Sequence, residues 1–298
     1  MGTVKDIFSG LGMLVGGVGL MGVLFSPVII NEIEIKKNTF TLDERIAADH
    51  AAGIVEQDEE PDKFAVLVGG NMSWWMWSAQ NEAYSALTGA GFPEENIYVL
   101  SEKSGIKDYR VDDITSRESL TTLFDHVGKR IGPEDALFVF FNGHGTWGIK
   151  SPTDSTRTTT AFCLPYPHHE DHIFQKDLTP LTESVNTSHK VIMFDMCCAG
   201  GLAGQARRLG WETISASTEY GNSAYSYGSA VSRNFFRAFS DTTSDTDGDG
   251  ILSLDEAFNY AKKNGSELNG DKNYPFKKFS SKGATMSLGP IIRSRNNR

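Results

Sequence analysis

The feature that most constrains the fold of this 298-residue chain is an alternation of short apolar runs with amphipathic segments. Runs of this kind are typical of buried strands in a parallel sheet. The predicted strands are Phe64–Gly69, Asn96–Ser101, Ala136–Phe141, Lys190–Asp195 and Trp211–Ser217. Helical segments such as Glu118–Ile131 separate them. The pattern therefore predicts an α/β fold, with a mostly parallel sheet covered by helices on both faces.

The composition is that of a protein with a buried core, and it argues against nucleic-acid binding. Hydrophobic residues make up 39% of the chain, charged residues 22%, and the net charge is −10. Because a phosphate backbone attracts Lys and Arg, an acidic chain is a poor partner for it. The chain has three cysteines, two of them adjacent, so a disulfide framework is not expected. At least one thiol must be unpaired within the chain, and it is a candidate reactive group. We expect no organic cofactor.

The N-terminal segment, residues 1–31, is the compositional outlier. No residue from Ile7 to Asn31 is charged, and the run is long enough for one helical crossing of a bilayer, which needs about 20 apolar residues. The usual Ala-x-Ala cleavage site is missing, which favours a hydrophobic anchor helix; a cleaved signal peptide or a buried helix are the alternatives. The chain is therefore predicted to be a single-pass membrane protein, or secreted if the segment is removed.

Residues 32–62 are polar and charged and end in an acidic, proline-containing turn. This composition predicts a solvated linker between the N-terminal segment and the α/β domain. A removable pro-segment is the alternative.

Two predicted strands run directly into chemically capable residues. The third is followed by Asn-Gly-His144-Gly145, and the fourth ends in Asp195-Met-Cys197-Cys198. Ligands bind beyond the carboxyl ends of the strands in open α/β sheets. If the two strands are neighbours, His144 lies beside Cys197 or Cys198, as a general base must lie beside a thiol nucleophile. The backbone amides of Gly145 and Cys197 could then form an oxyanion hole.

These segments, in this order, resemble the legumain family of cysteine peptidases. The resemblance rests on Phe64-Ala-Val-Leu-Val-Gly-Gly-Asn71, Gly91-Phe-Pro-Glu-Glu-Asn-Ile-Tyr-Val99, Phe138-Val-Phe-Phe-Asn-Gly-His-Gly-Thr-Trp-Gly148, Val191-Ile-Met-Phe-Asp-Met-Cys-Cys-Ala-Gly200 and Ile214-Ser-Ala-Ser-Thr-Glu219. It implies a caspase-like three-layer sandwich over residues 63–240 and a thiol endopeptidase acting on peptides or proteins. The acid-x-Cys-x-Ser-Gly motif of the family is in register with Cys197. The resemblance thus implies Cys197 as the nucleophile and His144 as the base.

The sequence also departs from the legumain pattern at the specificity pocket. Legumains place an Arg-His pair just before the glutamine matched by Gln80, where this chain has Ser78 and Ala79. A preference for asparagine is therefore not implied. Asp195 stands where metacaspases use an Asp to bind Arg or Lys, which implies a basic residue before the scissile bond. The resemblance places Asp195 and Ser217 in the substrate groove.

Two other functions are compatible with the same sequence features. The first is a transamidase of the same fold, which would pass the acyl group to an amine as the related GPI-anchor enzyme does. The second is a catalytically inactive, membrane-tethered scaffold that binds calcium.

The segment Asp245–Glu256 fits an EF-hand calcium loop over its full length. Gly250 stands at the turn position, and helices are predicted on both sides, over 230–239 and 254–263. The predicted ligands are Asp245, Asp247, Asp249, the carbonyl of Ile251, Ser253 and the bidentate carboxylate of Glu256. We expect a structural calcium ion here, in a C-terminal unit over residues 241–298.

Overall fold

A computed structural model of the chain describes residues 41–51, 61–71, 74–102, 111–151, 154–165, 168, 171–215, 230–269, 277–279 and 287–290. The helices in these residues are α1 (Leu42–Ala51), α2 (Trp74–Gly89), α3 (Arg117–Arg130), α4 (Leu178–Thr182), α5 (Gly200–Arg208), α6 (Ala230–Arg237) and α7 (Leu254–Asn269). The strands are β1 (Lys63–Gly69), β2 (Ile97–Ser101), β3 (Asp113–Ile114), β4 (Ala136–Asn142), β5 (Gly145–Ser151), β6 (Asp154–Cys163), β7 (His172–Phe174), β8 (His189–Asp195), β9 (Glu212–Ser215), β10 (Ile251–Ser253), β11 (Lys277–Phe279) and β12 (Ser287–Pro290).

The main sheet has seven strands within the described residues, in the order β11-β9-β8-β4-β1-β2-β3. Every neighbouring pair is parallel except β11 with β9. The predicted α/β class with a mostly parallel sheet is therefore confirmed. Continuous apolar runs form the central strands because both faces of a parallel sheet are buried.

Helices cover both faces of this sheet. Alternate residues of a strand point to opposite sides, so Phe64 and Val66 pack into one apolar cluster while Ala65 and Leu67 pack into another. Helices α2, α6 and α7 cover the face of Ala65, and α1, α3, α4 and α5 contribute to the cluster on the face of Phe64. The described residues thus form three layers, helix on sheet on helix.

A smaller antiparallel sheet, in the order β5-β6-β7, stands at the end of β4. Its first strand begins at Gly145, directly after His144. The amide of Cys163 donates to the carbonyl of His144 at 3.0 Å, and the amide of Asn71 donates to the carbonyl of Cys163 at 2.9 Å. These bonds join the β5–β6 hairpin to the carboxyl ends of β1 and β4.

Part of the segment expected to be a solvated linker is a docked helix, α1. Its Arg45 is 4% exposed and donates to the Asp112 carboxylate at 2.7 Å and to the Ile97 carbonyl at 2.8 Å. Its Asp49 is buried and accepts from the Tyr98 hydroxyl at 3.0 Å. Hydrophobic periodicity could not reveal this helix, because charged side chains carry much of its docking.

The C-terminal segment packs into the same core as the α/β domain. Leu252, Leu254 and Ala257 are buried in one apolar cluster with Phe236 and Phe239. Strand β11 extends the main sheet beside β9, and β12 pairs with β10. The segment 245–256 therefore packs, through Leu252 and Leu254, into the apolar core on the Ala65 face of the main sheet.

Among the helices of the described residues, none is both long enough and apolar enough to cross a bilayer. The hydrophobic segment 1–31 lies outside the described residues, so the anchor and its signal-peptide alternative stay predictions.

Candidate active site

The strands that precede His144 and Cys197 are neighbours. β4 and β8 pair in parallel and end together, with Asn142 opposite Asp195. The amide of Gly143 donates to the carbonyl of Asp195 at 3.3 Å, which extends the ladder by one residue. His144 and Cys197 each follow two residues after this last pair. Because adjacent strands lie about 4.8 Å apart, both loops leave the same point of the sheet edge.

The backbone of Gly145 lies against the backbone of Cys197. A Cβ atom at Gly145 would overlap the carbonyl oxygen of Cys197, so only glycine permits this approach. His144 and Cys163 form a hydrogen-bonded pair across β5 and β6, and Gly145 and Phe162 are the next pair. In an antiparallel ladder, the amides of that next pair point away from the partner strand. The Gly145 amide is thus directed away from β6.

His144 is held by its main chain and presents its side chain at the surface. Its amide donates to the carbonyl of Asn71 at 2.9 Å, and its carbonyl accepts from Cys163. The imidazole is on an exposed residue, and Cys197 is half-buried. A fixed backbone beside an accessible ring and an accessible thiol meets two requirements of nucleophilic catalysis.

The two adjacent cysteines differ in exposure and backbone. Cys198 is 3% exposed. Its φ is 58°, and every other non-glycine residue in the described part of the chain has a negative φ. The left-handed conformation costs a residue with a Cβ about 1–2 kcal/mol. Strain of this kind clusters at functional sites, where it fixes the direction of a neighbouring side chain. The turn buries Cys198 and leaves Cys197 accessible.

A third thiol, Cys163, lies near the other two, and no sequence motif predicts a role for it. Burial raises the pKa of Cys163 to about 11, and the nearby thiols of Cys197 and Cys198 add to the shift. Cys163 is therefore protonated at neutral pH and is a poor nucleophile, since the thiolate is the reactive form. It comes from the far end of β6, so no local motif links it to the site.

Asp195 lies at the carboxyl end of β8 and is 3% exposed. Burial raises the pKa of Asp195 to about 6, although a hydrogen bond from the Ser232 hydroxyl opposes the rise. In the part of the chain that the structure describes, no Lys or Arg pairs with this carboxylate. Ser232, on α6, had no signal in the sequence. Ser217, the other predicted substrate-binding residue, lies outside the described residues.

In the segment 245–256, the structure brings three predicted ligands together. Asp245, Asp247 and Asp249 each place a carboxylate oxygen within 4.8 Å of the other two. The amides of Gly248 and Gly250 donate to the Asp245 carboxylate at 2.7 and 3.0 Å, which fixes its direction. Gly250, with a φ of +83°, makes the turn that the loop requires.

Glu256 accepts hydrogen bonds from the backbone of the same loop. Its oxygens accept from the amides of Thr246 at 2.7 Å and Ser253 at 3.0 Å. Desolvation opposes ionisation, but these hydrogen bonds outweigh it and lower the pKa of Glu256 to about 2. The side chain of Ser253 also donates to Glu256, and Ile251 is 45% exposed. Three of the predicted ligands thus converge, and Glu256 fixes the backbone of the loop that carries them.

Comparisons with known proteins assign no family to the chain. No protein-family model matches the sequence, and no curated protein matches it. One similar solved structure is a secreted C11 cysteine protease from Bacteroides thetaiotaomicron in complex with an irreversible peptide inhibitor, at 12% identity and a TM-score of 0.38. The alignment covers 78% of this chain and 64% of the other, which is less than two thirds of that protease chain. The predicted resemblance to legumains therefore stays a prediction.

Proposed function

We propose that this protein is a cysteine endopeptidase with Cys197 as nucleophile and His144 as general base. The observation that carries the proposal is the pairing of β4 with β8, which ends at Asn142 and Asp195 and starts both loops side by side. The close approach of Gly145 to Cys197 supports it, because it joins the two loops directly.

The residues suit the steps of thiol-based peptide hydrolysis. His144 accepts the proton of Cys197, and the thiolate attacks the carbonyl carbon of the scissile bond. The amides of Gly145 and Cys197 donate to the oxyanion that develops. His144 then gives its proton to the leaving amine, and water hydrolyses the thioester to release the acid and restore the thiol.

The proposed specificity is for a basic residue before the scissile bond. Asp195 supports this, because it is a buried carboxylate with a hydroxyl donor and no cationic partner among the described residues. A substrate cation would offset the cost of ionising the carboxylate in that position. Ser217 is proposed to line the same pocket.

The experiment that tests the proposal is a cleavage profile of the full chain on a mixed peptide library, read by mass spectrometry. We expect products that end in Arg or Lys. His144→Ala should lower product formation at least about 10³-fold, because no base then generates the thiolate. The matched control is His189→Ala, which removes a partly exposed histidine at the opposite end of β8.

Three other results would contradict this function. Products that appear only with an added amine would identify the transamidase. No product from the wild type, with calcium binding intact, would favour the inactive scaffold. Equal rates for wild type and His144→Ala would remove His144 from the mechanism.

We also propose that the segment 245–256 binds a structural calcium ion. Carboxylates are the ligands that Ca²⁺ prefers, and three are already convergent at Asp245, Asp247 and Asp249. The full-length match of the sequence to an EF-hand loop supports the proposal, with the carbonyl of Ile251, Ser253 and Glu256 completing the set. The ion would stabilise the connection between α6 and α7.

Calcium is expected to raise the melting temperature of the wild type, because a ligand that binds only the folded state stabilises it, by about 2.7 kcal/mol at 100 times its Kd. The double variant Asp245→Asn/Glu256→Gln should lose this rise, as measured by differential scanning calorimetry, because it alters the two ligand positions at which the loop pattern admits only a carboxylate. Asp255→Asn, which removes a carboxylate outside the predicted set, is the control. An equal calcium effect on all three proteins would place the ion elsewhere, and no effect at millimolar calcium would remove the site.

A further inference from the structure

Trp147 is a large apolar side chain that stands in solvent three residues after His144. It is 55% exposed, more than Ile114 or Ile251, the other large apolar residues exposed in the described part of the chain. A single exposed apolar residue is ordinary by itself. The position of Trp147 on the β5–β6 hairpin is what gives its exposure significance.

The hairpin carries a β-bulge at Trp147. Thr146 pairs with Ala161, but the next pair is Ile149 with Thr159, so β5 has one residue more than β6 between them. Gly148, with a φ of +76°, provides the left-handed backbone that such a bulge uses. Bulges next to active sites re-aim a side chain. The bulge is fixed relative to His144, because the His144–Cys163 hydrogen bond joins the two strands at their base.

The short chain distance from Gly145 places Trp147 near the nucleophile. A Cβ at Gly145 would point into the Cys197 carbonyl, which identifies the face of β5 that meets Cys197. Trp147 follows Gly145 by two residues, and the bulge between Thr146 and Ile149 turns its side chain into solvent rather than into the core. Trp147 is about 7 Å along β5 from Gly145, and an extended substrate covers the same distance with two residues.

The chemistry of the reaction decides which part of a substrate passes this face. His144 must reach the leaving amine to protonate it, so the peptide beyond the scissile bond lies along the loop that carries His144. The β5–β6 hairpin continues from that loop. Asp195, which is proposed to bind the residue before the bond, belongs to β8, whose other neighbour is β9.

We infer that Trp147 binds an apolar side chain in the first two residues after the scissile bond, and so selects substrates on their leaving-group side. This inference rests on the proposed peptidase function. An aromatic side chain on a fixed backbone provides a large contact area with little loss of conformational entropy. The contact forms with the substrate before and during the reaction, so it lowers KM more than it raises kcat.

The test uses pairs of internally quenched peptides that share one cleaved sequence and differ only in the two residues after the bond, Leu-Phe against Gly-Gly. For the wild type we expect kcat/KM to be about 10- to 50-fold higher for Leu-Phe. Trp147→Ala should reduce this ratio to about 1 through KM, with the Gly-Gly peptide unaffected. Trp147→Phe should retain most of the preference. Alkylation of Cys197 by iodoacetamide, which has no leaving-group peptide, should be equal in all three proteins.

The outcomes separate this inference from the function on which it rests. If the wild type cleaves both peptides equally, or Trp147→Ala slows both alike, Trp147 is not a specificity-determining residue, although the peptidase stands. If the wild type cleaves no peptide of the library, the proposed function fails and this inference fails with it.

Discussion

Cys197→Ala is expected to lower kcat/KM for peptide cleavage by at least about 10⁴-fold, whereas Cys198→Ala should retain most of the activity. The nucleophile of a covalent mechanism cannot be replaced by a neighbour whose side chain points elsewhere. Cys197 is half-buried at the sheet edge, and Cys198 is turned into the core by its left-handed backbone. The measurement is the initial rate on the best peptide of the library, combined with iodoacetamide labelling of each cysteine.

The variants at Cys198 separate catalysis from folding. Cys198→Ala keeps the Cβ and therefore the backbone strain, and it loses only the packing of one sulfur atom, which we expect to cost about 1 kcal/mol. Cys198→Gly removes the strain and should be no less active than Cys198→Ala. A third variant, Cys163→Ser, should remain active because that thiol is protonated. Loss of activity in Cys198→Ala with its retention in Cys197→Ala would exchange the roles of the two residues.

Asp195→Asn is expected to lower kcat/KM for Arg peptides by about 10²–10³-fold, because a buried cation without its carboxylate loses most of its compensation. The Asn side chain has nearly the same volume, so the pocket itself is kept. A peptide with an uncharged residue at the same position should lose far less. The measurement is kcat/KM on both peptides, and an unchanged Arg preference would assign the pocket to another residue.

The raised pKa of Asp195 adds a pH dependence to this prediction. For the wild type, kcat/KM on Arg peptides should rise with pH through about 6, as the carboxylate ionises, and Asp195→Asn should lose this limb. Stability has the opposite sign. A carboxyl group with a pKa raised from 3.8 to about 6 stabilises the folded state fully below pH 4 and loses that contribution as pH rises through 6. At about 1.4 kcal/mol per pKa unit, the change is up to about 3 kcal/mol, and chemical denaturation of Asp195→Asn should not show it.

The central strands were predictable because burial on both faces requires continuous apolar runs. Strand β4, observed at Ala136–Asn142, and strand β8, at His189–Asp195, each differ from their predicted bounds by one residue at one end. Strand β11 was not predictable, because its Lys277-Lys278-Phe279 sequence is polar and pairs only with the last parallel strand. The order of the strands in the sheet could not be predicted from local sequence patterns either, because it depends on which distant segments pair.

The candidate site was predictable to the extent that it follows strand ends. His144 and Cys197 stand in short motifs directly after apolar runs, so their loops could be placed at one sheet edge once the strands were taken as neighbours. Ser232 and Cys163 come from elements distant in sequence, and they reach the site only through tertiary packing. Trp147 was visible as a residue, but the bulge that re-aims it depends on the register of β5 against β6.

The docking of α1 has a consequence for the order in which the chain assembles. Arg45 donates a hydrogen bond to the carbonyl of Ile97, 52 residues later, and the Asp49 carboxylate accepts one from Arg130, 81 residues later. Each contact requires β2 or α3 to be in place already, and closing a loop of this length costs chain entropy. Although α1 is synthesised before β2 and α3, it can dock only after they have formed. We therefore expect the first helix of the described chain to become native only after the strand and the helix on which it docks.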